Sequence, residues 1–428
     1  MNVFGSSPKK ESGSLRSCHV EKVASRMVAV PRGGEEIPDF AAIVSRLHDT
    51  DDITILSRHS PLRVAYKGQE YLIETAHVDI YVEPDDPSLQ GLDKESFKSV
   101  VNADAGYGIS MIFSDDAMDS FYLQIRLMDM LLPHMAALMD ETAHRMFSGK
   151  WVAAVCACQA ALSPINLFMV QAIFDENTGD SVWLHTHGLN RCGIVELEML
   201  GVTEGNYSAF VRVLNQMAQR AVSGRFIDEI EPMRLGVTES GRDIVVTWKR
   251  TQWALRELPD GIMGSASEDR DEDHSGDMGA VCLYENDDDV LHGRTVPIAQ
   301  WENQIQENAV YFLTTAETQR MRTLAQYYLP QLRQLWNRVD GEKTLLVKIG
   351  LKPDPDRGLD DDSHEYIWFE ANALRDDGFT ATLTQDAYYV RDMVEGVQKD
   401  FTYDDIVDWQ FWAGDDLFYP DNFYRFIG

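Results

Sequence analysis

The sequence predicts an α+β protein of two units, each with a small, mainly antiparallel sheet packed against helices. Three observations carry this. Short runs rich in β-branched and aromatic residues recur along the chain and are bounded by turn residues. Other segments space their apolar residues three and four apart, the period of a helix resting on a core. Between these sets lies GIMGSASEDRDEDHSGD, residues 261–277, which is small, charged and almost free of apolar side chains. The expected organisation is therefore a polar tail over residues 1–24, an N-terminal unit over 25–260, an acidic linker over 261–277 and a C-terminal unit over 278–428.

Length and composition narrow the class. A chain of 428 residues holds one to three domains, and its 44% hydrophobic and 10% aromatic residues supply ample core. The net charge of −32 repels nucleic-acid phosphates and anionic lipid, so neither nucleic acid nor a membrane surface is expected as partner. It favours solubility, or a basic protein as partner. The cysteines are Cys18, Cys156, Cys158, Cys192 and Cys282, an odd number without CxxC spacing. The first residues, MNVFGSSPKKESGSLRSC, lack the apolar core of a signal peptide. A reducing cytoplasm is the expected compartment.

In order along the chain, MVAVP reads as a strand and PDFAAIVSRL as a helix seated on Phe40, Ile43, Val44 and Leu47. ITIL, LRVAYKG and EYLIETAHVDIYVEP read as strands, with Lys67 and Gly68 as a turn. Met118, Phe121, Ile125, Met128, Leu132, Met135, Met139 and Met146 trace the strongest helical pattern, broken or kinked at Pro133. Trp151–Ala161, with its CxC pair, and Ile165–Phe174 read as buried segments, and 175–179 as a turn. Tyr207–Val222 is amphipathic with period 3.6, and Asp243–Trp253 reads as a strand. Past the linker, AVCLYE and Ala309–Leu313 read as strands and Thr315–Trp336 as a helix interrupted at Pro330. TLLVKIGL, EYIWFEANAL, FTATLT and AYYV would complete a small antiparallel sheet.

Reactive side chains crowd in one stretch, Ser181–Leu200 (SVWLHTHGLNRCGIVELEML). With a side-chain period of two, His185 and His187 point the same way, about 7 Å apart along a strand. Ile194, Glu196 and Glu198 share a face of the next run. If the runs pair as a hairpin, His185, His187, Glu196 and Glu198 become candidate ligands for zinc or another borderline divalent ion. The plainer reading is a pair of strand histidines bonded to their neighbours. His274 reads as part of a solvated linker. No HExxH, P-loop or GxSxG motif is present, and Cys192 beside the histidines lacks an activating context.

From Asp400 to the end, ten of 29 residues are aromatic and seven are aspartate. Disordered acidic tails rarely carry so many rings, so this end is expected to dock on the body. Trp409, Phe411 and Trp412 are the candidate partner-binding residues, since Trp and Tyr anchor many interfaces.

Glu365-Tyr-Ile-Trp-Phe-Glu370, then DDGFTATLTQDAYYV and VEGVQKDFTYDDIVDW, resemble the YegJ-like bacterial domain of unknown function over roughly residues 310–412. At Glu395-Gly396-Val397-Gln398 the sequence departs from that domain's usual Gly-Asp pair. The motifs DETAHRM, SGKWVAAV and HTHGLNRCGIVELE are similar to another uncharacterised bacterial module. The resemblance transfers no catalytic residue.

The favoured expectation is an intracellular bacterial, non-enzymatic acidic protein: an interaction or accessory protein, inhibitor-like toward a basic partner. The competing expectation is a metal-dependent enzyme at the histidine strand, with Glu196 or Glu198 as ligand or general base.

Overall fold

The computed structural model describes residues 18–426 except 34, 159, 175–179, 226–230, 239, 259–260, 271–273, 275–277, 303, 306–309, 312–314 and 358–363. Three sheets organise the chain. The first holds β1 (Ser25–Val30), β2 (Ile53–Ser57), β3 (Leu62–Tyr66), β4 (Gln69–Asp79), β5 (Ala105–Met111), β6 (Ala137–Asp140) and β7 (Arg145–Ser148). Its order is β2-β3-β4-β5-β1-β6-β7, antiparallel throughout. The second holds β8 (Met169–Phe174), β9 (Val182–His187), β10 (Leu197–Val202), β11 (Met233–Val237), β12 (Asp243–Arg250), β13 (Gly279–Tyr284) and β14 (Val310–Tyr311). Its order is β14-β11-β12-β13-β10-β9-β8, with β10 and β13 parallel and the rest antiparallel. The third holds β15 (Lys343–Leu351), β16 (Glu365–Leu374), β17 (Phe379–Leu383), β18 (Gln398–Phe401), β19 (Ile406–Ala413) and β20 (Asp416–Phe418), in the antiparallel order β18-β17-β16-β15-β19-β20. The helices are α1 (Phe40–Ser45), α2 (Lys94–Val101), α3 (Ala117–Leu131), α4 (Gly149–Ala157), α5 (Tyr207–Arg220), α6 (Thr251–Ala254), α7 (Asp287–His292) and α8 (Thr315–Arg338). The protein is α+β, as its pattern predicts.

Local chemistry explains the best-read elements. Asp39 accepts a bond from Ala42 N and caps α1, which buries Ile43 and Val44. Lys67 and Gly68 both take positive φ, the geometry of a two-residue turn between β3 and β4. Asp116 caps α3, whose Phe121, Ile125 and Met128 are fully buried.

Packing redraws the expected boundary. Residues from both of the first two sheets, with α3 and α5, form one continuous core reaching from Cys18 to Ile305. A separate core joins Tyr328 and Leu332 of α8 to the third sheet and Phe423. The seam between cores therefore falls after Ile305 and before α8, not at 261–277. β13, expected to open the second unit, lies inside the second sheet between β12 and β10. The described part of 261–277 folds over that sheet: Ile262 and Met263 pack with Trp183, Leu200 and Met278. The end of the expected tail is also placed, with Cys18 buried and His19 bridged to Ile194, while residues 1–17 lie outside the described residues.

Other expectations fail for identifiable reasons. The methionine-rich helix ends at Leu131, and Met139 and Met146 face each other across the β6–β7 hairpin. Pro133 cannot continue the helix, and the run from Ala137 to Asp140 is largely buried, so its spacing mimicked a helix. Pro330, read as an interruption, stands inside an unbroken α8. AYYV is not a strand, and the third sheet is completed instead by β18, β19 and β20. The turn expected at 175–179 lies outside the described residues.

Candidate metal centre

β9 is the second strand from one edge of its sheet, between β10 and β8. Its odd face turns away from the main core, while Val182 and Leu184 point into it. Register places Gln171 of β8 and Glu198 of β10 directly opposite His185 on either side. Trp183, His185 and His187 share this face of β9. The face is covered by residues 261–270 and by His274, which place Arg270 and the His274 ring onto it. Gly264 packs so closely that a Cβ there would stand 2.6 Å from the Trp183 ring, and its φ is +82°. Met263 N donates to Ser181 Oγ at 3.0 Å, and the Arg270 guanidinium lies 4.7 Å from the Trp183 ring centroid.

Three imidazoles converge beneath this cap. His185 Nε2 is 3.0 Å from His187 Nε2, and His274 Nε2 is 3.2 Å from His187 Nε2. One ligand atom from each lies within 4.8 Å of the others. Among the described residues no other three His, Cys, Asp or Glu side chains gather in this way. His185 is fully buried, and His187 and His274 are each 8% exposed. Gln171 Oε1 also stands 3.0 Å from His187 Nε2. The His144 ring, from the β6–β7 turn, stacks on His187 with centroids 4.2 Å apart. Burial, helped by the neighbouring imidazoles, pushes His185 down to about 2, so its ring is neutral. Its Nδ1 is buried without a hydrogen-bond partner.

A neutral imidazole nitrogen offers one lone pair or one N–H. His187 Nε2 therefore satisfies at most part of what surrounds it, with three polar atoms within 3.2 Å. Nitrogens sharing a tetrahedral zinc at about 2.0–2.1 Å would lie about 3.3 Å apart. The two short separations are close to that figure.

The two glutamates part company. Glu198 lies on the histidine face and is fully buried. It accepts from Trp183 Nε1 at 2.8 Å, from Arg270 Nη2 at 2.8 Å and from Thr251 Oγ1. Glu196 precedes β10 and serves the other face, accepting from Thr186 Oγ1 at 2.7 Å, Gly188 N at 2.9 Å and Asn190 N at 3.0 Å. Burial outweighs these bonds and pushes its carboxyl up to about 7. It staples the turn after β9 and does not join the imidazoles. Cys192 faces Gly188 O at 3.9 Å, and burial pushes its thiol up to about 12, the reverse of an activated nucleophile.

That turn is fixed by a second buried cluster. Arg191 makes two bonds to Asp140 at 2.9 and 2.8 Å, and neither side chain is exposed. Arg191 Nη1 also donates to Ser25 Oγ at 3.0 Å, and Ser25 bonds to Gln124. Asp140 closes β6, four residues before His144, so the clamp holds the two turns that meet at His187.

Sequence spacing locates His185, His187 and Glu198 on one face but misses His274, Gln171 and His144. His274 lies 87 positions from His187, and its only trace is a histidine at the end of an acidic run. The aromatic end divides as well. Trp409 and Phe411 are fully buried, whereas Trp412 is 39% exposed.

Residues 25–160 match the N-terminal domain, and 170–282 the C-terminal domain, of a protein family of unknown function, DUF4026. Together they span more than half of the chain, which belongs to that family. Both matched spans lie within the first two sheets and their shared core. The C-terminal match ends inside β13, past the boundary expected at 261–277. No curated protein and no solved structure matches the chain. No helix among the described residues is long and apolar enough to cross a membrane.

Proposed function

We propose that this protein binds a divalent transition-metal ion, with zinc the best fit, through His185, His187 and His274. The observation that supports this is the convergence of three buried imidazoles, with His185 Nε2 and His274 Nε2 at 3.0 and 3.2 Å from His187 Nε2, close to the spacing of nitrogens on one tetrahedral zinc. An all-imidazole set selects borderline ions such as zinc, cobalt or nickel over magnesium and calcium. Binding is read here as the function, not hydrolysis. Both carboxylates near the strand are held by donors, so neither stands ready as a general base. Elemental analysis of protein purified without an affinity tag should find one ion per chain, lost in His185→Ala plus His187→Ala. Retention of the ion in that double variant would remove the reading.

A second reading concerns partners. The net charge of −32 supports association with a basic protein, and of the three candidate contact residues Trp412 is the accessible one, beside the exposed Tyr419 and Phe426. Trp409 and Phe411, buried in the core of the third sheet, are withdrawn as contact residues. For this C-terminal unit the YegJ-like resemblance, with a bacterial source, is kept as the working assignment. The five free cysteines support a reducing cytoplasm. Capture of a basic protein that releases as salt rises, and weakens in Trp412→Ala, would support the partner reading; salt-independent capture would remove its electrostatic basis.

A further inference from the structure

We propose that the cleft bounded by β7, α4, α5, α8 and residues 419–425 binds a small organic acid, its single carboxylate held by Arg145 and Arg425 and its apolar body lying against the rings beside them. The cleft has a volume of about 780 Å³. Small-molecule sites span about 300–1,000 Å³. It shares no residue with the imidazole cluster and does not rest on the metal reading.

Arg145 is a half-buried cation whose natural partner is taken. The β6–β7 register sets it opposite Asp140, yet both Asp140 oxygens go to Arg191. Its Nη1 donates to Ile165 O at 2.8 Å and Phe168 O at 3.4 Å, and its guanidinium lies 5.0 Å from the Phe147 ring centroid. Its Nε and Nη2 have no partner among the described residues. Burial pushes the guanidinium below its ordinary range, as expected of a cation desolvated without a full counter-charge. Arg425, which is exposed, reaches the same cleft, where its Nη2 would stand 3.5 Å from a Cβ at Gly91. It forms no ion pair among the described residues.

The charged groups on the wall are Arg145, Arg320, Arg425, Glu317 and Asp421, a net of +1 in a chain of −32. Arg320 takes up both acids, bonding Glu317 at 3.0 and 2.8 Å and Asp421 at 2.8 and 2.9 Å. Arg145 and Arg425 are left over, and a cleft focuses their field on an anion. The surplus of one matches a carboxylate, whose two oxygens fit a guanidinium fork. A phosphate monoester, at about −1.5 to −2 near pH 7, would overcharge the wall. Beside the arginines the wall is aromatic: Phe147 and Trp151 stack with centroids 4.1 Å apart, and Phe168 and Tyr328 are buried.

The test is calorimetric titration of the full chain, treated with a chelator so that no bound ion affects the outcome, with 1-naphthylacetate. Its uncharged amide, 1-naphthylacetamide, and inorganic phosphate are titrated alongside. Expected is one equivalent of naphthylacetate per chain, with the amide and phosphate each at least about tenfold weaker. Arg145→Ala should weaken naphthylacetate at least about tenfold. Because Arg145 also holds two backbone carbonyls, Arg425→Ala serves as the second variant; its side chain is exposed, so the melt should stay that of the parent while affinity falls about threefold or more. Absence of naphthylacetate binding overturns the proposal. Equal binding of the amide overturns it, since the arginines would then not be engaged. Phosphate binding as tight as naphthylacetate overturns it too, because the aromatic wall would be idle. Unchanged affinity in Arg425→Ala, or in a folded Arg145→Ala, overturns the two-arginine clamp.

Discussion

Two buried polar clusters flank the turn after β9, and they solve the same problem in opposite ways. In the Arg191 cluster, both Asp140 oxygens, the Ser25 hydroxyl and the Gln124 amide have partners inside the protein. Only Arg191 Nε is left over. The guanidinium supplies its own fork of donors, matched to a carboxylate, and the cluster closes without any ligand. In the histidine cluster, ring nitrogens crowd one another. The groups are all weak bases, and the carboxylate on their face, Glu198, is already paired with Arg270. A polar cluster that completes itself is architecture, and one that directs lone pairs at a common point is built for something else.

The largest effects should come from the self-contained groups. Arg191→Ala would remove the buried ion pair and leave Asp140 with the Ala143 N–H as its remaining donor among the described residues and no exposure, and breaking such a pair typically costs about 3–5 kcal/mol. Chemical denaturation of the ion-free chain should show this in the transition of the first two sheets. A change below about 1 kcal/mol would mean that the clamp does not organise the turn. Trp409→Ala should cost a similar amount, about 3–5 kcal/mol, in the transition of the third sheet, because the ring is fully buried and its Nε1 donates to Ala325 O at 3.2 Å.

The histidine cluster should behave differently. His185→Ala plus His187→Ala should abolish zinc-dependent stabilisation, about 2.7 kcal/mol at 100 times Kd. Equal zinc stabilisation of parent and variant in thermal melts would erase the contrast between the two clusters.

A smaller effect belongs to Glu196, which sits between the clusters. Its carboxyl rises from the ordinary 4.5 to about 7 on folding. The folded state thus holds a proton that the unfolded chain releases, so this contribution is complete below about pH 4.5 and lost as pH rises through about 7. The slope is at most about 1.4 kcal/mol per pH unit. Glu196→Gln should flatten that part of the stability profile between these pH values. An unchanged slope would show that the three donors around Glu196 win over burial. The smallest effect is expected at Trp412. At 39% exposed it lies outside the buried core, and Trp412→Ala should change stability by about 1 kcal/mol or less.

Much was legible in the chain because it depends on neighbours in sequence. The β3–β4 turn, the capped α1, the alternation of β9 and the amphipathic α5 follow from side-chain period and turn chemistry over a few residues. That period alone set His185 and His187 on one face. Pairing of β9 with β10 then confirmed Glu198 opposite His185, while Glu196 was lost to the site because β10 begins only at Leu197. Where a segment is buried on both faces, as at β6, period carries no information, and the helical reading failed.

Composition misled most at 261–277. Few apolar residues there meant weak anchoring, and the sequence reads as a spacer between units. Tertiary structure decided otherwise: β13 pairs with β12 on one side and with β10 on the other, so it belongs to the second sheet, and the connection from β12 to β13 runs out across the neighbouring strands. That connection lays His274 on the imidazoles of β9. The sequence by itself determined which side chains could bind an ion and which way two of them point. Bringing the third from 87 positions away was the work of strand order in the sheet, a long-range contact that no local pattern encodes.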